Sequence, residues 1–542
     1  MKTRAALLGY AFLLVIGTGM AFWYGSASDH SRYPYTPDSS GYIERARTLL
    51  GSGNLVANPL FPPGYPLLIS AAASFGLDPV KAALLLVRIG YAALPALLAW
   101  VLRKVVDDRS NVAIAVLVAL SPGLWYIGST ADSDLPFMVL VLAGFAFMLR
   151  WAGSFSIGAA FTAGLLLGAA YVVRNAGLAA FAAVATVLAA GAVFRWLPPR
   201  RTLAFAAAFA FGAALPVAPL LLWNYVEFGH LQPYSMPPSD IALVTNMRIY
   251  IEQAVLDLVG SSSIARHIAW DYRLLLGAGI GFTALLVVRG GLQWPKLKLQ
   301  EKVALMLFAS YFAAGASMVI LARTLYQWGE LINLRHVVQY DWTVYPIAAL
   351  LLGWNREDVP RRPARIAVAV AVAVAVAVAV AVAFLISGRL LYLAAEYRRN
   401  SAMHSALVST GNPLLAVAAV QDRGWVWTRT LKREIADDRG LLDAINSIPA
   451  GADVKSNRAD VLQIETGRSV GSLSFDSSHQ LAAKLARLPH SPPSEPRLDV
   501  LLFPTDLLLK NGQWAVLLAQ AQLAPGYKIV ADVPDLLWLR SE

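Results

Sequence analysis

The sequence contains no cysteine, which excludes a disulfide framework, a thiolate metal site and a cysteine nucleophile. It is also poor in charge. Asp, Glu, Lys and Arg make up 15% of its 542 residues, against about a quarter in a typical soluble protein, while 57% are hydrophobic. Acidic residues are the scarcer sign, 34 against 45 Lys and Arg, for a formal charge of +11. Such an excess suits nucleic acid in principle. Here the basic residues fall in short loops between long apolar runs, the positive-inside pattern of membrane proteins. The charge therefore reports topology, and no nucleic-acid partner is expected.

The apolar runs predict an α-helical multi-pass membrane protein with about eleven spans. They are Ala5–Tyr24, Val80–Val101, Asn111–Gly128, Leu135–Trp151, Gly158–Val173, Gly177–Trp196, Thr202–Tyr225, Leu274–Val288, Val303–Ala322, Val337–Trp354 and Ile366–Ile386. The alternative for the first run is a cleaved signal peptide, since small residues follow at Gly25–Ser28; its length favours a retained anchor. By parity the basic loops at Arg103, Lys104 and Arg109, at Arg195, Arg200 and Arg201, at Lys296, Lys298 and Lys302, and at Arg361, Arg362 and Arg365 all fall inside. The expected location is the cell (inner) membrane, with the N-terminus cytoplasmic and the C-terminus outside. The Ala-Val alternation from Ala367 to Ala383 has the period of a strand. A lone strand would leave its backbone unpaired in lipid, so it is read as helix.

Two domains are expected: residues 1–388 within the membrane, and 389–542 as a C-terminal extracytoplasmic α/β domain. In the latter, strands are predicted at Asp453–Lys455, Leu498–Phe503 and Lys528–Val533, with helices at Ala444–Ile448, Arg458–Thr466 and Gly512–Leu523. After the first span, Ser39–Leu50 reads as an amphipathic helix and Leu67–Phe75 as a short apolar one.

Polar groups near the outer membrane face are the candidates for chemistry. Asp38 precedes the amphipathic helix, where it suits either an N-cap or a general base. Asp132 and Asp134, at the start of the fourth span, suit an acceptor site or a shared divalent cation such as Mg or Mn. Arg88 lies within the second span, and charge there usually faces a protein interior or a wet cavity. Arg174, Arg323, Arg335 and His336 stand on the side where the positive-inside rule disfavours cations. A phosphate ligand supplies a reason, because guanidinium binds it bidentately.

Several motifs in order carry a resemblance. They are Asp38-Ser39-Ser40-Gly41-Tyr42, Pro62-Pro63-Gly64-Tyr65-Pro66, Arg88, and Tyr171-Val172-Val173-Arg174-Asn175-Ala176-Gly177. Trp223-Asn224 with Phe228-Gly229, Leu334-Arg335-His336 leading to Tyr345-Pro346, and Ser456-Asn457 with Thr466-Gly467-Arg468 in the C-terminal domain complete the series. The chain resembles the GT-C superfamily of polyprenyl-phosphate-sugar glycosyltransferases. Within it the likeness is to the RgtA/B/C/D-like branch, related to protein O-mannosyltransferases and to ArnT, the aminoarabinose transferase of lipid A. Trp223 stands where that family usually has Arg, and His336 where Tyr is usual.

The resemblance implies a GT-C fold and a hexosyl- or pentosyltransferase. It would move a sugar from a polyprenyl-phosphate donor to a lipid, glycan or protein hydroxyl outside the cytoplasm, with inversion. Asp38 is then the catalytic carboxylate. Arg88, Arg174, Arg335 and His336 are candidates for the donor phosphate, and Asp132 and Asp134 for acceptor or metal. The alternative class is a polytopic transporter or lipid flippase of the cell envelope. That class places its ionisable groups near the membrane midplane and often shows inverted repeats; no internal repeat is evident here.

Overall fold

The computed structural model describes residues 36–128, 130–233, 238–239, 241–271, 294–326, 332–352 and 387–389, with parts of 9–19. Beyond these it describes 439–449 and segments of 452–472, 498–502, 527–533 and 536–541. The chain forms two compact units, one of Met1–Tyr24 with Ser52–Leu393, the other of Gly25–Gly51 with Ala394–Glu542.

In the second unit, helix α1 is Pro37–Ser52, extending the predicted amphipathic helix at both ends. The first unit contains the apolar helices. They are α2 Gly64–Ala73, α3 Pro79–Leu102, α4 Asp108–Ala119, α5 Pro122–Gly128, α6 Asp134–Ser154, α7 Ile157–Val173 and α8 Leu178–Val193. Next come α9 Pro199–Phe228, α10 Leu243–Val259, α11 Ser262–Trp270, α12 Leu299–Leu325, α13 Leu334–Asp341 and α14 Val344–Leu352.

Among the described residues, 5 helices are long and apolar enough to cross a membrane, or 6 if α4 and α5, bent by 50° at their junction, count as one span. The eleven-span expectation thus reduces to a multi-pass helical protein with that number of spans visible. The predicted spans 274–288 and 366–386 lie outside the described residues. Of the first predicted span, Leu13 packs with Ala99 and Ala115.

The tenth predicted span differs most. Val337–Trp354 has the apolar length of one helix, yet the chain breaks between α13 and α14. Thr343 Oγ1 donates to the Tyr340 carbonyl at 2.6 Å, and Trp342 Nε1 donates to the Gln339 carbonyl at 3.0 Å. These side chains take up the carbonyls that a continuing helix would use. Every residue of α13 is buried in protein, which is where broken backbone is tolerated at membrane depth.

Small residues set the helix spacing. A Cβ on Gly164 would lie 2.0 Å from the Phe209 carbonyl oxygen, and one on Gly212 would lie 2.2 Å from that of Phe161. Helices α7 and α9 therefore touch backbone to backbone. On α12, Gly315 leaves room for the Tyr340 ring, whose Cδ1 would stand 2.1 Å from an added Cβ.

The C-terminal part shows helix α15, Arg439–Asn446, and a five-stranded sheet: β1 Asp453–Ser456, β2 Gly471–Ser472, β3 Leu498–Leu502, β4 Tyr527–Val533 and β5 Leu536–Ser541. The order is β2-β1-β3-β5-β4. β1 runs parallel to β2 and β3, while β5 is antiparallel to β3 and β4. Buried Asp499 ties β3 to β5 by accepting from Trp538 Nε1 and Arg540 Nε, each at 2.9 Å. Strands β2 and β5 were not expected from the sequence. The predicted helix Gly512–Leu523 lies outside the described residues.

Candidate active site

The start of α6 is the point of convergence. Asp134 is its first residue and is fully buried. The carboxylate accepts from Arg335 Nε at 3.0 Å and from Gln339 Nε2 at 2.6 Å, and pairs with Arg174 Nη2 at 3.2 Å. Arg174 Nη1 also donates to Ser133 Oγ at 3.0 Å. Asp132, equally buried, stands 4.0 Å from Arg335 Nη1.

Local structure explains how distant residues meet. Arg174 is the C-cap of α7, where the backbone turns extended and releases the side chain sideways from the helix axis. Arg335 and Gln339 lie four residues apart on α13 and so share one face, while Gln339 Nε2 also donates to the Arg335 carbonyl at 3.0 Å. Two carboxylates and two guanidiniums balance, which is what a buried ion cluster requires.

Two of the motifs quoted above also meet. A Cβ on Gly64 would lie 2.6 Å from the Val172 carbonyl oxygen, so the Pro-Pro-Gly-Tyr-Pro turn packs on the end of α7 beside Arg174. Asn175 Nδ2 donates to the Leu60 carbonyl at 3.4 Å. Asn224 donates to the Leu231 carbonyl at 3.0 Å, and Gly229, at φ 72°, ends α9 in the left-handed region.

The other sequence candidates have partners of their own or none among the described residues. His336 Nδ1 accepts from the Asn333 backbone N–H at 3.2 Å as part of the cap of α13. Arg323 donates to Ser239 Oγ at 3.2 Å. Arg88 sits half-buried on α3, one residue from exposed Ile89 and three from exposed Leu85. Its guanidinium makes no hydrogen bond or ion pair among the described residues. Asp38 belongs to the second unit, in the first turn of α1. The capping hydrogen bond there is made by Thr36, whose Oγ1 accepts from Ser39 N at 3.1 Å.

Gln339 and Ser133 were not among the sequence candidates. The i, i+4 spacing from Arg335 was the one available signal for Gln339. As for a metal, Asp134 has both oxygens committed to cationic or amide donors. No group of three or more His, Asp or Glu able to hold a metal ion occurs among the described residues.

No protein-family model matches the sequence, and no curated protein matches it significantly. Solved structures do match. ArnT from Cupriavidus metallidurans bound to undecaprenyl phosphate aligns over 100% of this chain and 98% of its own, with 14% identity and a TM-score of 0.52. The apo form of the same organism's ArnT gives 15% identity and the same score over 99% and 98%. The apo oligosaccharyltransferase of Archaeoglobus fulgidus aligns over 95% of this chain and 71% of its own, with 14% identity and a TM-score of 0.50. At such identities the likeness is one of fold: this chain is a multi-pass membrane protein with the fold of the GT-C glycosyltransferases.

Proposed function

We propose that the protein is a membrane glycosyltransferase that moves a sugar from a polyprenyl-phosphate donor to an acceptor hydroxyl outside the cytoplasm, inverting the anomeric centre. The observation that carries this reading is the buried cluster of Arg174 and Arg335 on Asp134 in a membrane chain of GT-C fold. Undecaprenyl phosphate bound to the ArnT of Cupriavidus metallidurans supports a lipid phosphate as the leaving group.

In the proposed step the acceptor oxygen attacks the anomeric carbon while Asp38 takes its proton. The bond from that carbon to the phosphate oxygen breaks, and polyprenyl phosphate leaves with the electron pair. An ordinary carboxylate is a weak base, so the proton moves late, as charge develops on the attacking oxygen. Cations placed beforehand around the leaving phosphate lower the barrier electrostatically.

The arginines divide this work. Arg174 and Arg335 are balanced by Asp132 and Asp134, so the cluster holds a pre-set geometry without surplus charge. Arg88, with no hydrogen bond or ion pair among the described residues, supplies the available cation. A guanidinium within a span is costly unless it meets a partner, and its place beside exposed Leu85 and Ile89 suits the phosphate of a membrane lipid. His336 would contribute through the fit of α13. No step is routed through a metal ion.

The test uses purified protein with a panel of polyprenyl-phosphate sugars, read by mass spectrometry, beside envelope glycans and lipids from a deletion strain. Release of polyprenyl phosphate with a matching sugar missing from the deletion strain supports the proposal. Lipid movement across vesicles with no bond cleaved would instead make the protein a flippase.

A further inference from the structure

A cationic surface is assembled at the helix ends remote from Asp134. Helix α6 runs 21 residues from Asp134 to Ser154, which places its last turn about 30 Å from the arginine cluster. Three contacts gather other elements there. Arg201, in the first turn of α9, lies over the Phe155 ring at 4.3 Å from its centroid. Gln300, in the first turn of α12, donates through Nε2 to the Leu149 carbonyl at 3.0 Å. Trp196 and Trp294 meet edge to face with centroids 5.9 Å apart, and so join the α8–α9 turn to the chain entering α12.

Arg195, Arg200 and Arg201 come from one of these segments, and Lys296, Lys298 and Lys302 from the other. All are exposed except Lys302, which is half-buried. Glu301 is the one acid within 194–202 and 294–302. It is buried and accepts from the Lys298 backbone N–H at 2.8 Å, in the cap of α12. None of the six cations makes an ion pair among the described residues. Aromatic rings order two of them instead, Arg201 on Phe155 and Lys302 over Trp294 at 5.5 Å. Like charges gathered without a counter-ion repel one another, and the dipole of α9 adds to the repulsion at Arg200 and Arg201. Topology asks for basic residues in such loops, but not for their assembly around a pair of tryptophans. Among the described residues, Phe155 at φ 51° and Arg195 at φ 52° are the two other than glycine in the left-handed region, and both belong to this surface.

Charge alone would suit any anion; the neighbours decide which. Val193, Phe194 and Leu203 flank the arginines and are 73%, 70% and 71% exposed. Apolar side chains beside cations, with tryptophan between, are the pattern of a membrane interface. A soluble phosphate would make no use of the apolar part. We infer that this surface binds an anionic phospholipid of the leaflet on its side of the membrane, opposite the arginine cluster on Asp134. The cations hold the headgroup phosphate, and Phe194 and Leu203 lie along the acyl chains.

The test is a titration of purified full-length protein, in neutral detergent, with dye-labelled phosphatidylglycerol, read by fluorescence anisotropy. Dye-labelled phosphatidylcholine is the arm without net charge. Wild type should bind phosphatidylglycerol saturably and far more tightly than phosphatidylcholine, with affinity falling as salt is raised. Each cation near an anionic lipid contributes about fivefold in affinity, so Arg195→Gln, Arg200→Gln and Arg201→Gln combined should weaken binding about 100-fold. Lys296→Gln with Lys298→Gln should weaken it about 25-fold. Arg103→Gln with Lys104→Gln, exposed cations outside the two segments, should leave it unchanged. Equal binding of both lipids, or an equal loss in the Arg103 and Lys104 variant, overturns the inference. Displacement by inorganic phosphate beyond that by sodium chloride at the same ionic strength would mark a soluble anion and overturn it too. So would a loss in Arg88→Ala with none in the triple variant, which would put the lipid elsewhere. Should the triple variant not fold, the lysine pair and the wild-type comparison of headgroups decide.

Discussion

Replacing Asp134 by Asn exchanges one oxygen for an amino group at a side chain with no solvent exposure. Three donors converge on that carboxylate, from Gln339 at 2.6 Å, Arg335 at 3.0 Å and Arg174 at 3.2 Å. Each ion pair is worth about 4 kcal/mol at a charge separation near 4 Å and an effective dielectric of about 20. Desolvation of the charges offsets much of this in the intact protein. It offsets none of it once a single partner is removed, and breaking a buried pair costs about 3–5 kcal/mol. Asn keeps one acceptor oxygen but turns an N–H₂ group toward a guanidinium, so two cations lose their anchor together. Equilibrium unfolding in mixed micelles should therefore show Asp134→Asn destabilised by about 3–5 kcal/mol. A double-mutant cycle with Arg335→Gln should give a coupling of about 2–3 kcal/mol. A general base at this position would behave otherwise: turnover would drop with stability kept. A variant within about 0.5 kcal/mol of wild type, the range of an unremarkable surface change, would refute the reasoning.

Asp38→Asn should lower turnover by about 100- to 10,000-fold while α1 remains folded, because Thr36 makes the cap; a variant with near-normal rate removes Asp38 as the base. Thr36→Ala should show the reverse, losing about 1 kcal/mol of stability with turnover largely kept, as read by unfolding and transfer assays side by side. Arg88→Ala should weaken undecaprenyl phosphate binding, with only partial rescue by Lys, which lacks the planar fork; unchanged affinity would exclude it from the phosphate site. A reporter active only in the cytoplasm, fused after Glu542, should be silent, and a bright fusion would reverse the topology.

Some of this was legible one residue at a time. The bilayer rewards apolar length, a property that accumulates along the chain. Pro79–Leu102, Asp134–Ser154, Pro199–Phe228 and Leu299–Leu325 therefore coincide within a few residues with the spans read from hydropathy. The amphipathic period similarly located α1, and the clustering of arginines on the disfavoured side singled out Arg174 and Arg335. Strand β2 was not legible, since a two-residue strand has no period and exists only through its neighbours; the six residues of β5 were missed as well.

What the sequence determined by itself was membrane class, the positions of most apolar helices and which charged residues required explanation. Only the tertiary structure decided what those charges do. Asp132 and Asp134 have the spacing of a cation site, yet α7 and α13 deliver guanidiniums to them from 40 residues and more away. Gln339 and Asp341 appear in the sequence as two polar residues inside an apolar run. Packing puts Gln339 on the arginine cluster and buries Asp341 completely. The reason is that burial and charge pairing are energies between segments: the identity of a residue sets what it can bond, and the fold sets what it meets.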